Sequence, residues 1–257
     1  MYTQMLARQS NRLPINSIYV FGERNSGTNY VNSLVLRNCR SSNFDSLFNA
    51  KNKAAFGWKH GFPTMLGTPD DVLAIAVYRE PIDWLHSLHR APWHTPAHLR
   101  ECTFSQFIRS EWVSLIDDEG FGIDKSDGRW GHELLADRDP LTGDRFANAM
   151  RMRNAKNRGF ASLDKRFANV LRVTYETVAA NPQGFLNMLC YTYNLQREGD
   201  FDPIPHDRAT PARGLFQRKA LPETSATDMD FIRQELDLEG ERMLGYDLLQ
   251  AAHSIAA

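Results

Sequence analysis

The residues best suited to chemistry lie in one stretch, Ile18-Tyr19-Val20-Phe21-Gly22-Glu23-Arg24-Asn25-Ser26-Gly27-Thr28-Asn29-Tyr30-Val31. It reads as a buried strand, a tight polar loop and the opening of a helix. Such a loop aims backbone N–H groups and a helix N-terminus at an anion, so it is expected to cradle a phosphate. Gly22 and Gly27 stand five residues apart, as in G-x-x-x-x-G-K-[ST], but Thr28 and Asn29 occupy the places of the lysine and the magnesium-binding hydroxyl. That substitution suggests a nucleotide held without the usual γ-phosphate and magnesium.

Hydrophobic periodicity supplies the elements that must position this loop. Residues 1–16 are polar and read as an N-terminal arm leading into the strand at Ile18 to Phe21. Tyr30, Val31, Leu34, Val35 and Asn38 recur at helical spacing, which predicts a helix to about Cys39. After a Ser/Asn-rich connection, the short apolar run 54–58 predicts a second strand ending at Lys59-His60-Gly61. The continuous apolar run Val72 to Tyr78 predicts a parallel strand covered on both faces, the central one of the sheet. It ends at Arg79-Glu80-Pro81, where Pro81 suits a first helical turn and Ile82, Leu85, Leu88 and His89 continue the helix. Arg79 is thereby expected at the carboxyl edge of a strand, where open α/β sheets bind ligands.

Residues 91–167 contain helical pieces (104–116 and 146–158) around the Gly/Asp-rich segment 117–129, and are expected to form helices and loops over the active-site face. Val170 to Tyr175 predicts another strand, followed by Asn181 as N-cap and Pro182 as first helical residue of a helix through Tyr193. The segment 201–222 carries four prolines with Arg208, Arg213, Arg218 and Lys219, and is expected to be an ordered loop or lid. Helical patterns over 228–238 and 238–249 close the chain, with no internal repeats.

Composition sets limits on function. A chain of 257 residues can form one sizeable domain, and a single domain over 1–257 is expected. Thirty Lys+Arg against 31 Asp+Glu give a net charge of -1, which argues against a general nucleic-acid or anionic-membrane binder. Any anion site must therefore be local. Cys39, Cys102 and Cys190 lie far apart without C-x-x-C spacing, so neither a zinc site nor a disulfide framework is indicated, and a reducing cytoplasm fits. The N-terminus lacks a signal-peptide core, and no uncharged apolar run approaches the roughly 18 residues of a membrane span. A soluble, cytoplasmic protein without stable membrane insertion is expected.

The order of these pieces resembles the sulfotransferase family that uses 3′-phosphoadenylyl sulfate (PAPS), over most of the chain from Ile18 to Lys219. The resemblance implies an α/β, three-layer architecture of the P-loop NTPase-like kind, with a mostly parallel central sheet flanked by helices. Arg24-Asn25-Ser26-Gly27-Thr28-Asn29-Tyr30 is similar to the family's 5′-phosphosulfate loop, although the basic residue, Arg24, stands one place earlier than usual and Asn25 precedes Ser-Gly-Thr. Tyr78-Arg79-Glu80-Pro81-Ile82-Asp83-Trp84-Leu85-His86-Ser87 is similar to the 3′-phosphate motif, in which the Arg and a Ser eight residues later bind that phosphate. His60 resembles the family's catalytic histidine and is expected to act as general base, with Lys59 or Arg24 stabilising the transferring group. Tyr175, in Val173-Thr174-Tyr175-Glu176, and Arg218-Lys219 match the remaining cofactor-binding motifs, with Arg213-Gly214 a competing candidate for the basic loop.

The activity so implied is transfer of a sulfuryl group from PAPS to a hydroxyl or amine of a small-molecule, carbohydrate or lipid acceptor, leaving 3′-phosphoadenosine 5′-phosphate (PAP) and using no metal. Two other classes compete: a P-loop phosphotransferase or kinase, disfavoured by the missing Lys and Ser/Thr, and a noncatalytic binding module built on the nucleotide fold. His86, His89, His94 and His98 invite a metal reading, but Pro92 and Pro96 break any shared helix and no carboxylate or cysteine joins them at ligand spacing.

Overall fold

Residues 6–8, 13–40, 56–65, 67, 70–197, 199–204 and 222–249 are described in a computed structural model of the chain. In chain order its principal elements are β1 (Leu6–Arg8), β2 (Ser17–Phe21), α1 (Thr28–Asn38), β3 (Cys39–Arg40), β4 (Val72–Tyr78), α2 (Pro81–Arg90), α3 (Ala97–Arg100), α4 (Phe104–Arg109), α5 (Ala149–Ala161), β5 (Asn169–Thr174), α6 (Tyr175–Ala180), α7 (Pro182–Tyr193), β6 (Gln196–Arg197), α8 (Ala226–Glu235) and α9 (Leu238–Met243). They fall into two compact units, Met1–Glu80 with Phe160–Leu221, and Pro81–Gly159 with Pro222–Ala257.

The first unit is α/β. Its sheet runs in the order β1-β5-β4-β2, with β2, β4 and β5 mutually parallel and β1 antiparallel at the edge. All seven residues of β4 are buried, as the continuous apolar run requires of a strand paired on both sides. Alternation divides the strands between two faces. Ile18, Val20, Leu73, Ile75, Val77, Leu171 and Val173 belong to a core shared with Val31, Leu34 and Val35 of α1 and Phe185, Leu186 and Leu189 of α7. Tyr19 and Phe21 instead meet the rings of Phe56, Phe160 and Phe167. Asn181 caps α7 through the Gly184 N–H, with Pro182 following it, as the sequence predicts.

Four expectations change, one of them the helix expected over 238–249, which ends at Met243. Within the arm, Leu6–Arg8 forms a strand, because backbone pairing to β5 needs no apolar pattern. The run expected as a second strand is not extended over its described part, Phe56 to Trp58: Gly57 has φ of 84° and the chain turns at Lys59 and His60. The helix expected over 104–116 stops at Arg109. From there Trp112 N–H bonds the Phe146 carbonyl and Leu115 N–H the His94 carbonyl, so the backbone is tied outward rather than along a helix axis.

The second unit is helices, turns and irregular chain, organised by buried charge pairs. Arg153 grips Glu241 through two bonds of 2.6 and 2.8 Å, both side chains being about 2% exposed, and its guanidinium lies 4.9 Å from the centre of the Trp84 ring. Lys156 pairs with Asp137, which also accepts from Ser114 and from Trp112 Nε1. Among the described residues no helix is long and apolar enough to cross a membrane. Removing one partner of such a pair strands a buried charge. Arg153→Met should destabilise the protein by ~3–5 kcal/mol in urea titrations, and Arg153→Met with Glu241→Leu should recover most of the loss.

Candidate functional site

The parallel register sets Phe21 opposite Ala76 and Tyr78 opposite Thr174, so three strands end at one edge. The residues that follow them, Gly22, Arg79 and Tyr175, therefore converge without any help from side-chain attraction. Gly22 has no room for a side chain, since a Cβ there would lie 2.5 Å from the Val77 carbonyl oxygen. Gly27 begins α1 in the left-handed region, with φ of 93°. A methyl on it would intrude into the Tyr175 ring. Both glycines of the loop are thus required by close backbone approach.

Between them the chain forms a polar cup. Asn25 also takes a left-handed φ, 63°, and its carbonyl accepts from Arg79 Nη1 at 2.9 Å. The Arg79 guanidinium sits 5.1 Å from the centre of the Tyr175 ring, which Tyr30 meets edge-on at 5.7 Å. Ser26 is buried, yet its Oγ has no hydrogen-bond partner among the described residues. The N-cap residue of α1 is Gly27, which makes no side-chain cap. A buried hydroxyl beside such a helix start is the polarity an anionic oxygen would satisfy.

Lys59 and His60 join the cup through Gly22. The Gly22 N–H donates to the Lys59 carbonyl at 3.1 Å, and the Gly22 carbonyl accepts from His60 Nδ1 at 2.6 Å. A carbonyl can only accept, so Nδ1 carries the proton, and in the neutral ring the lone pair resides on Nε2. Trp58 stands edge-on to this imidazole at 5.4 Å. Lys59 Nζ donates to Asn29 Oδ1 at 2.7 Å, which places an ammonium over the first turn of α1.

Arg24 is the most enclosed basic group of the set, at 2% exposure. Its backbone N–H and Nε both donate to Glu23 Oε1, at 2.7 and 3.1 Å, and its guanidinium lies 5.3 Å from the Trp58 ring centre. The pair is formally neutral. Among the described residues, Lys59 and Arg79 are half-buried cations bonded to the loop.

Ser87 is a half-buried residue of α2 in the second unit, its carbonyl accepting from Ala91 N–H. Arg208, Arg213, Arg218 and Lys219 lie outside the described residues. Three of the four clustered histidines have separate partners: His86 Nε2 bonds Thr224, His89 Nε2 the Cys102 carbonyl and His94 Nδ1 Asp117. Among the described residues no group of three or more His, Cys, Asp or Glu could hold a metal ion.

Glu23, Trp58 and Glu176 gain parts that sequence reasoning left unassigned. Glu23 neutralises Arg24, Trp58 walls both Arg24 and His60, and Glu176 accepts from the Glu80 N–H at 3.0 Å, tying the turn after β4 to α6. Their only sequence signal is adjacency to Arg24, Lys59-His60 and Tyr175. Comparison of the chain with protein-family models, with curated proteins and with solved structures found no significant match.

Two outcomes follow for the loop and its support. Gly27→Ala should lower stability by ~1–3 kcal/mol in denaturant titrations, from the positive φ and the collision with Tyr175. Tyr19 donates to the Gly57 carbonyl at 2.6 Å, and burial pushes its pKa up to about 12. An unfolded tyrosine ionises near pH ~10, so stability should hold below that pH and fall as pH climbs toward about 12. Tyr19→Phe should flatten the fall, read from urea midpoints across that window.

Proposed function

We propose that this chain is a PAPS-dependent sulfotransferase that moves a sulfuryl group to a hydroxyl or amine of a small-molecule, carbohydrate or lipid acceptor. The observation that carries the reading is the loop itself: a buried Ser26 hydroxyl and a glycine-started α1, with Lys59 bonded to Asn29, His60 to Gly22 and Arg79 to Asn25 of the same loop. These residues fit a phosphate oxygen, because they offer donors and positive charge to an enclosed polar spot.

In this reading the loop N–H groups and Ser26 hold the 5′-phosphate. As the bond between sulfur and its bridging oxygen breaks, negative charge grows on the departing phosphate, and donors already in place stabilise it without reorganisation. Lys59 lies close enough to the first turn of α1 to meet the transferring group. His60 Nε2 takes the acceptor proton as the new bond to sulfur forms, its ring fixed by the Nδ1–H bond to Gly22. Arg79 serves the 3′-phosphate, with Ser87, Arg218 and Lys219 assigned to the same phosphate by the family resemblance. Arg24, paired with Glu23 and set against Trp58, stiffens the loop or meets the transferring group beside Lys59.

Calorimetry tests the reading. PAP should bind with EDTA present, and Arg79→Ala should weaken it ~10- to 100-fold through loss of a charge-assisted contact. Preference for Mg-ATP over PAP would overturn the assignment in favour of a phosphotransferase. His60→Ala should leave PAP affinity unchanged and cut turnover ~10²- to 10⁴-fold, read by product mass after screening donor-saturated protein against sugars, phenols and lipids. A protein that binds PAP but consumes no PAPS with any acceptor would instead be a binding module.

A further inference from the structure

Cys39 and Cys190 are 151 residues apart, and neither belongs to the loop site, yet the fold brings their sulfur atoms to 3.6 Å. Both side chains are buried and both thiols are free. Two elements fix the meeting. Cys39 is the C-cap residue of α1, and it pairs in the β3–β6 ladder opposite Arg197, seven residues after Cys190. Cys190 lies in the last turn of α7, where its carbonyl accepts from both Asn194 and Leu195 N–H groups. The third cysteine differs, with its thiol directed to the Leu99 carbonyl in the second unit.

We propose that Cys39 and Cys190 form a reversible dithiol–disulfide site that, when oxidised, ties the C-terminal end of α1 to α7. The gap to be closed is about 1.6 Å, from sulfurs in contact to a bond of ~2.05 Å, within reach of side-chain rotation. The chemistry is asymmetric. The hydrogen bond between the two thiols lowers the pKa of Cys190, helped by the charge of Arg197, while that same bond and burial raise Cys39. Cys190 is also the more exposed of the two, at 9% against 4%. It is the attacking sulfur.

The oxidant is a peroxide. The Cys190 thiolate attacks one peroxide oxygen, the O–O bond breaks, and a sulfenic acid forms as the second oxygen leaves and is protonated to water. Cys39, surrendering its proton, then attacks the Cys190 sulfur. The S–S bond forms, the S–O bond breaks and a second water departs. Two thiols are oxidised by two electrons, and one peroxide is reduced to two waters.

The test uses the full chain, treated with a slight excess of hydrogen peroxide, then denatured, alkylated, digested and analysed by mass. The expected product is a Cys39–Cys190 cross-link with Cys102 alkylated, reversed by dithiothreitol. The oxidised protein should unfold roughly 5–10 °C higher than the reduced one, because a long loop is closed in the unfolded chain. Cys39→Ser and Cys190→Ser should each abolish both the cross-link and the shift, and Cys102→Ser should abolish neither. Alkylation of Cys39 and Cys190 after peroxide, or a cross-link involving Cys102, would overturn the proposal. A Cys39–Cys190 bond that left the unfolding temperature unchanged would overturn the tether. PAP titration is not a readout of this proposal, so its outcome and that of the sulfotransferase reading are separable.

Discussion

Gly22 is held from both sides at the end of β2. Its N–H reaches the Lys59 carbonyl, its own carbonyl holds the His60 ring, and the Val77 carbonyl lies where a side chain would have to go. Those bonds join a strand end to a turn 38 residues further along. They depend on the parallel register of β2 with β4, which brings the strand ends level. Shift that register by one residue and the faces of β2 exchange. Ile18 and Val20 would leave the helical core, and Gly22 would no longer lie against Val77.

With the edge fixed, electrostatics distributes the work around it. Enclosing Arg24 alone would carry a large desolvation penalty, and Glu23 offsets it with a charge-assisted bond. The pair thereby becomes formally neutral, with the guanidinium against Trp58. Arg79 is less enclosed and divides its guanidinium between the Asn25 carbonyl and the face of Tyr175. A planar fork can meet a carbonyl at its edge and an aromatic ring on its face, which an ammonium cannot do in the same way. The loop is therefore shaped by contacts to its backbone, and its polar interior is built around Ser26.

In the second unit charge acts structurally. Arg153 with Glu241, and Lys156 with Asp137, are fully enclosed and draw additional donors from Asn157, Ser114 and Trp112. Buried pairs of this kind add little net stability over apolar contacts but penalise any arrangement that separates them. That penalty suits a segment with short helices and long irregular stretches, where apolar periodicity specifies little. The same contrast explains why α4 ends early: the pattern after Arg109 is compatible with a helix, but the backbone donors of Trp112 and Leu115 are claimed by distant carbonyls.

How much was written in the sequence can be judged residue by residue. Val72 to Tyr78 was legible because a strand buried on both faces must be apolar at every position, and Asn181-Pro182 because capping is local chemistry. The course of Gly22 to Tyr30 from strand through loop to helix was legible for the same reason, since glycines and small polar residues between an apolar run and a helical stripe mark a tight turn. The short strand at Leu6–Arg8 was not, because pairing to β5 is made by backbone alone. Nor was the turn at Gly57 to His60, where an apolar run bends instead of extending. The sequence by itself determined the α/β pattern of the first unit and the residue types around the loop. Only the tertiary structure decided that Arg24 is neutralised, that His60 keeps its proton on Nδ1, and that Cys39 meets Cys190. The last two depend on distances between residues far apart in the chain, and the first on the burial that the fold imposes on two neighbours, and local periodicity carries no information about either.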